Sequence, residues 1–400
     1  MNQQLREYQA EEDRYEPDFV TEEEEEEDVD YQADDYDVVA APNDFNIMTI
    51  VDFIERGVVK IPGFQRNYVW DIKRASKFIE SILIGLPIPQ IFLYEQGRNN
   101  FLVIDGQQRL MSIYYFVNQR FPRIEKIAEL RTIFDQQGTI PDNIFGDDRY
   151  FTSFNLRLPE SLPNRPNRFK GKNYSSLGED YQTAFDLRTI RNIIVKQVKP
   201  GGDDSMYEIF SRLNSGGMNL TPQEIRRCMY DSGFYEMLYK TNTEEKWRRL
   251  VGVRIPDLHM KDVEILLRGF AMLIEGEDYS PSMVKFLNGF SEHAKAFDAD
   301  KLQYLLDLLQ SFLDSCSELS VGAFLSTGRR FSPMTFESVF VAACSKPYSR
   351  GDIVDGKVDP ASVEELKTDA LFAGATLSQT TNTANVKLRL SRARDLVVLT

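Results

Sequence analysis

Residues 103–110, Val-Ile-Asp-Gly-Gln-Gln-Arg-Leu, constrain the fold more than any other stretch of this chain. An apolar run over residues 101–104 ends at Asp105 and a glycine follows. Apolar residues then recur at helical spacing through residue 117, with Ile113, Phe116 and Val117 facing inward. A buried strand that turns at once into a helix belongs to a mixed α/β domain. The turn also has chemical potential. The first amide N–H groups of a helix lack intrahelical partners and lie at the positive end of its dipole, which suits a phosphate. Gly106 removes the Cβ that would hold an anion away from the backbone. Arg109 adds a planar, permanently charged fork for phosphate oxygens. Asp105 could hold a metal ion such as magnesium or orient water, and Gln107 and Gln108 could bond a nucleotide or an attacking water. A plainer alternative stands beside this one: Asp105 caps the helix and Arg109 is its i,i+4 partner.

The neighbouring sequence supplies companions for that strand and helix. Apolar spacing predicts a helix over Ile47–Glu55, stopped by Gly57, and a short strand over residues 58–61 that stops at Pro62. A helix over residues 74–83 is closed by Gly85, and Leu86-Pro87-Ile88-Pro89 forbids its continuation. Residues 91–94 and 101–104 form a hairpin across a Gly-Arg-Asn-Asn turn, and residues 191–198 give a further strand. Between them, residues 121–180 are irregular and read as a basic insertion or mobile lid, with Arg165, Arg168, Lys170 and Lys172 among its prolines.

After Gly201-Gly202 the texture becomes helical. Thr221-Pro222-Gln223-Glu224 is a capping box with proline at the first helical position. Helices are expected at 261–275, 280–295, 299–317, 333–345, 360–371 and 383–397. The expected fold class is therefore α+β: a mixed α/β domain over residues 44–202 and a mostly helical domain over residues 203–400.

Charge bounds the first 43 residues. Residues 1–40 hold seventeen acids against Arg6 and Arg14, which accounts for the whole net charge of −15. The body is neutral, so the low pI does not exclude a nucleic-acid partner. Residues 1–43 read as a disordered acidic tail, either merely solvating or covering a basic groove as a nucleic-acid mimic. No apolar run reaches the roughly 18 residues a membrane span needs. The N-terminus lacks the basic-then-apolar pattern of a signal peptide. Cys228, Cys316 and Cys344 read as reduced core thiols of a cytoplasmic protein.

Two more polar clusters are candidates. In residues 61–70, Gln65 and Arg66 could reach a phosphate, while Tyr68 and Trp70 either stack on a base or anchor the loop to the core. In residues 209–221, a Ser-Gly-Gly turn precedes the capped helix, and Arg212 and Asn214 are the nucleotide-binding candidates beside a plain helix-cap reading. For nucleic acid, Arg226 and Arg227 after that turn, and Lys387 and Arg394 on the last helix, offer positive charge.

Four motifs in order carry a resemblance: F-Q-R-x-Y-x-W, R-A-S-K-x-I-E-S-I-L-x-G-L-P-I-P-x-I-F-L, V-I-D-G-Q-Q-R-L and F-x-R-L-N-S-G-G-x-x-L-T-x-Q-E-I-R. Over residues 45–235 the chain resembles the domain of unknown function 262 family, which includes the N-terminal domain of GmrSD-type restriction systems. That family is similar to the ParB and sulfiredoxin superfamily, in which a Gly-x-x-Arg turn binds nucleotide phosphates. The resemblance implies nucleoside triphosphate binding and hydrolysis at residues 105–109, used to regulate action on foreign DNA. Many members carry a C-terminal H-N-H nuclease. Here His259 and His293 are the only histidines, and neither sits in such a motif. Three functions follow: a regulatory NTPase, a non-catalytic nucleotide or modified-DNA sensor relaying to a separate effector, and a metal-dependent ParB-like nuclease. The oligomeric state is left open.

Overall fold

The computed structural model describes residues 38–61, 68, 70–127, 129–130, 133, 140–160, 167–197, 221–230, 232–254, 256–257, 259–326 and 330–400. The chain divides into two compact units, Asp34–Leu220 and Thr221–Thr400.

In the first unit a five-stranded mixed sheet has the order β1-β7-β3-β4-β2. These strands are β1 (Val38–Asn46), β2 (Val59–Lys60), β3 (Ile91–Gly97), β4 (Asn100–Asp105) and β7 (Thr189–Gln197). The expected β3–β4 hairpin forms, with Gly97 opposite Asn100. β7 runs parallel to β3 and antiparallel to β1. Helices α1 (Ile47–Glu55), α2 (Ile72–Leu83) and α3 (Gln107–Val117) fall close to the expected spans. Asn46 caps α1 by accepting from the Thr49 amide, and Asp71 caps α2 by accepting from the Arg74 amide. Ile47, Ala75, Ile79, Val103, Leu110 and Phe116 form the dry centre of this unit.

Two expectations need correction. Residues 38–43, read as the end of the acidic tail, are strand: β1 pairs with β7 from Val38 opposite Gln197 to Asn46 opposite Thr189. The partner is about 150 positions away in sequence, so local composition gave no sign of it. Pro42 is tolerated because an edge strand does not need every N–H. The consequence is measurable. Truncation before Val38 keeps the whole β1–β7 ladder, whereas truncation before Asn43 removes the pairs from Val38 to Pro42. The second cut should lower the melting temperature of the unit by several degrees relative to the first, as read by circular dichroism.

The described part of the 121–180 insertion is also no loose lid. It contains a two-stranded sheet, β5 (Arg120–Pro122) with β6 (Phe151–Ser153), the short helix α4 (Asp142–Phe145) and α5 (Glu179–Asp186). Phe121, Phe151 and Phe154 are all buried. Phe154 meets Phe116 of α3 edge-on at 5.4 Å and Phe121 at 4.9 Å, which locks the insertion onto the helix that starts at the turn.

The second unit is helical: α6 (Pro222–Met229), α7 (Gly233–Asn242), α8 (Glu245–Val251), α9 (Lys261–Glu275), α10 (Met283–Ala294), α11 (Ala299–Ser315), α12 (Pro333–Arg350), α13 (Pro360–Thr368), α14 (Ala370–Ala375) and α15 (Thr383–Leu396). The capping box forms as read, with the Thr221 amide donating to Glu224 at 2.7 Å. Glu337 of α12 sits between two buried arginines. Its Oε2 accepts from Arg268 of α9 at 2.9 and 2.8 Å, and its Oε1 from Arg389 of α15 at 3.0 Å. Cys316 and Cys344 are unbridged and buried, and burial pushes the Cys316 thiol up to about 12 and that of Cys344 well above its usual value. Among the described residues, no helix is long and apolar enough to cross a membrane.

Candidate functional site

β4, between β3 and β2, ends at Asp105, and Gly106 turns the chain into α3 with φ 100° and ψ 7°. A Cβ at this position would lie 2.3 Å from Cγ2 and 2.9 Å from Cβ of Ile91 on β3. The turn is therefore pressed against the sheet in a left-handed conformation that only glycine adopts without strain. Gly106 gives α3 no side-chain cap. The amides that open the helix are consequently not held by the residue in the capping position, where serine, threonine or aspartate usually serves.

Arg109 is 14% exposed and serves three partners at once. Its Nη2 donates to Asp105 Oδ2 at 2.6 Å. Its Nη1 donates to the Pro89 carbonyl at 2.6 Å and the Gln90 carbonyl at 2.9 Å. The i,i+4 pair of the plainer alternative is thus present. The same guanidinium also fastens the Pro-rich segment before β3 to the start of α3. Backbone carbonyls carry no side-chain signature, which is why this clamp was invisible in the sequence.

The second motif packs on the first. Ser112 Oγ donates to the Gln108 carbonyl at 2.7 Å, which leaves its oxygen to accept from the Tyr68 hydroxyl, also at 2.7 Å. Burial pushes the Tyr68 phenol above its ordinary value, so it stays a neutral donor. The Trp70 amide reaches the Gln108 side-chain oxygen at 3.4 Å, and the Trp70 ring meets Phe78 edge-on. Tyr68 therefore anchors the loop to α3 rather than offering its face to a base. Gln65 and Arg66 lie outside the described residues, as do Arg212 and Asn214.

The donor set does not make a metal centre as it stands. Among the described residues, no group of three or more His, Cys, Asp or Glu comes together to hold an ion. Asp105 is a single half-exposed carboxylate already committed to Arg109, and Gln107 and Gln108 are neutral. The side chains at the turn therefore do not fit a resident magnesium ion.

The expected nucleic-acid residues are largely withdrawn from solvent. Arg226 is 1% exposed and is bonded to Gln223, Asn288 and Glu264. Arg227 is 9% exposed, with its guanidinium 3.9 Å over the Tyr239 ring. Neither can meet a phosphate backbone in this arrangement, because each fills the interior of its own unit. On α15, Arg394 is exposed but pairs with Glu277 at 3.0 Å, and Arg392 pairs with Asp369 at 2.8 Å. Among the described residues, Lys387 is the exposed cation of that helix with no ion-pair partner. The last helix is accordingly a buttress with one lysine outward, not a basic face. His259 lies 3.8 Å from Glu224, and His293 bonds Glu275, each beside a carboxylate of its own helical unit.

Residues 47–230 match the family described as the GmrSD restriction endonuclease, N-terminal domain. The chain is also similar to an uncharacterized protein of Methanocaldococcus jannaschii, with 27% identity over 150 residues. That match covers 31% of this chain and 26% of the relative, so the chain spans about a quarter of the relative's length. No solved structure is a significant match. The matched span contains the β4–α3 turn, its anchoring loop and the capped helix α6, so over residues 47–230 the chain is similar to the N-terminal domains of GmrSD restriction endonucleases.

Proposed function

We propose that this protein is a component of a DNA restriction system whose N-terminal unit binds a nucleoside triphosphate at the β4–α3 turn and hydrolyses it to regulate a partner effector or nuclease. The observation that carries the reading is the helix start at Gly106: no side-chain cap, no Cβ, and Arg109 with two glutamines around the same turn. An incoming phosphate competes with Asp105 for Nη2 of Arg109. Displaced from that pair, Asp105 is the group placed to take a proton from water as the water attacks the terminal phosphorus and the bond to the bridging oxygen breaks. Gln107 and Gln108 would orient the water without adding charge. Similarity to the GmrSD N-terminal domains supports the restriction context, and the residues support the phosphate.

The pairing gives a signed expectation. Asp105→Asn removes the competitor for Arg109 and should tighten triphosphate binding, by roughly two- to fivefold for one partly exposed charge pair. The same variant should lose most turnover. Calorimetric titration and phosphate release, measured on the same samples with the four common triphosphates, check both. Saturable binding by wild type without turnover would leave the sensor reading, which the commitment of Asp105 to Arg109 favours. Failure of all four nucleotides to bind would reject both.

A further inference from the structure

Lys73 and Lys77 are exposed on α2, on the helix face they share with Ser76 and Glu80. The insertion runs along that face. Ser76 Oγ accepts from the Arg157 amide at 2.9 Å, and Glu80 accepts from the Asn167 side-chain amide. The Leu156 amide donates to the Lys172 carbonyl and the Gly171 amide to the Leu156 carbonyl, each at 2.8 Å. That ladder sets Lys172 beside Arg157, and both are exposed. Four cations from three separate segments are thereby gathered along one strip.

The carboxylates that could neutralise the strip are occupied elsewhere. Asp71 caps α2 and Glu80 holds Asn167. Glu160 faces Lys170 at 3.6 Å. Among the described residues, Lys73, Lys77, Arg157 and Lys172 have no ion-pair partner. The nearby aromatic faces are also taken: Arg74 lies 4.9 Å over Trp70 and Arg168 5.1 Å over Tyr181, with Phe78 and Phe169 against their edges. Single-stranded nucleic acid is held chiefly by stacking bases on open rings. A duplex instead presents regularly spaced phosphates to cations, with its bases already stacked.

We propose that Lys73, Lys77, Arg157 and Lys172 form a docking strip for the backbone of double-stranded DNA. The strip shares no residue with the β4–α3 turn and stands whether or not that turn takes a nucleotide. It binds without reading base sequence, because lysine and arginine on phosphate fix position and not identity.

The test is fluorescence anisotropy of the full chain on a duplex of about 25 base pairs, between about 50 and 200 mM salt. The variant Lys73→Ala/Lys77→Ala/Arg157→Ala/Lys172→Ala should bind roughly tenfold or more weakly, and its log–log salt slope should fall by about 3 to 4, near 0.9 per cation lost. Lys73→Arg/Lys77→Arg/Lys172→Arg keeps the charge and should bind like wild type, which separates lost contact from lost fold. Arg98→Ala, at the β3–β4 turn, should change nothing. An unchanged slope in the quadruple variant overturns the proposal. So does a wild type that ignores the duplex, a single strand that binds more tightly than the duplex, or polyglutamate that competes equally at matched charge.

Discussion

Gly106→Ala should lower the melting temperature of the N-terminal unit by about 10 °C, the shift expected of a few kcal/mol in a unit of this size. Two costs add. The left-handed φ of 100° disfavours any L side chain by about 1–2 kcal/mol. The new methyl would also meet Ile91 at 2.3 Å, and Ile91 is a core residue of β3 that cannot swing away. Forcing an extra carbon into a filled core costs about 1–3 kcal/mol. Gly106→Asn separates the two, since asparagine tolerates the left-handed region but carries the same Cβ. Similar losses for both variants would identify the contact with Ile91 as the greater of the two costs. A melting temperature within a degree of wild type for Gly106→Ala would show that the turn is not pressed against β3.

Glu337→Ala should destabilise the helical unit by about 3–5 kcal/mol, the usual cost of stripping one partner from a buried ion pair. Arg268 is 4% exposed and Arg389 is 0% exposed, so neither guanidinium can recover water when the carboxylate leaves. Arg389 would keep its bonds to the Ala375 and Thr380 carbonyls at 3.1 and 2.6 Å, which neutralise no charge. Glu337→Gln retains an acceptor and should fall between wild type and alanine. Glu277→Ala makes the contrast: its partner Arg394 is in water, so the loss should be about 0–1 kcal/mol. Urea denaturation followed by the fluorescence of Trp247, buried in this unit, reads both. Equal losses for Glu337→Ala and Glu277→Ala would refute the buried-pair argument.

Periodicity located α1, α2, the β3–β4 hairpin, α9 and α11 because each shows a clear apolar stripe against polar neighbours. It passed over α7 and α8. In α7, Phe234, Tyr235, Met237, Leu238 and Tyr239 are all buried, so the helix is wrapped on most sides and has no stripe to find. β1 was missed for a different reason: its strand character comes from β7, not from its own alternation. At the site, Gly106 and the Asp105–Arg109 spacing were legible, and so was their ambiguity. The Pro89 and Gln90 carbonyls were not. Charge was the least reliable guide. Arg226 and Arg227 counted as surface cations in the sequence and proved to be interior ones, whereas the exposed strip on α2 needed the fold to assemble it.

Arg109 bonds three ways, and that has a bearing on communication. The Pro89 and Gln90 carbonyls it holds belong to an exposed segment, and the carboxylate it holds belongs to the turn. A ligand that drew the guanidinium toward itself would loosen residues 86–90 in the same movement. Occupancy would then be broadcast as a change of outline on the surface, legible to a partner that never touches the ligand. Amide exchange at Leu86, Ile88 and Gln90 would report that message without needing the partner at all.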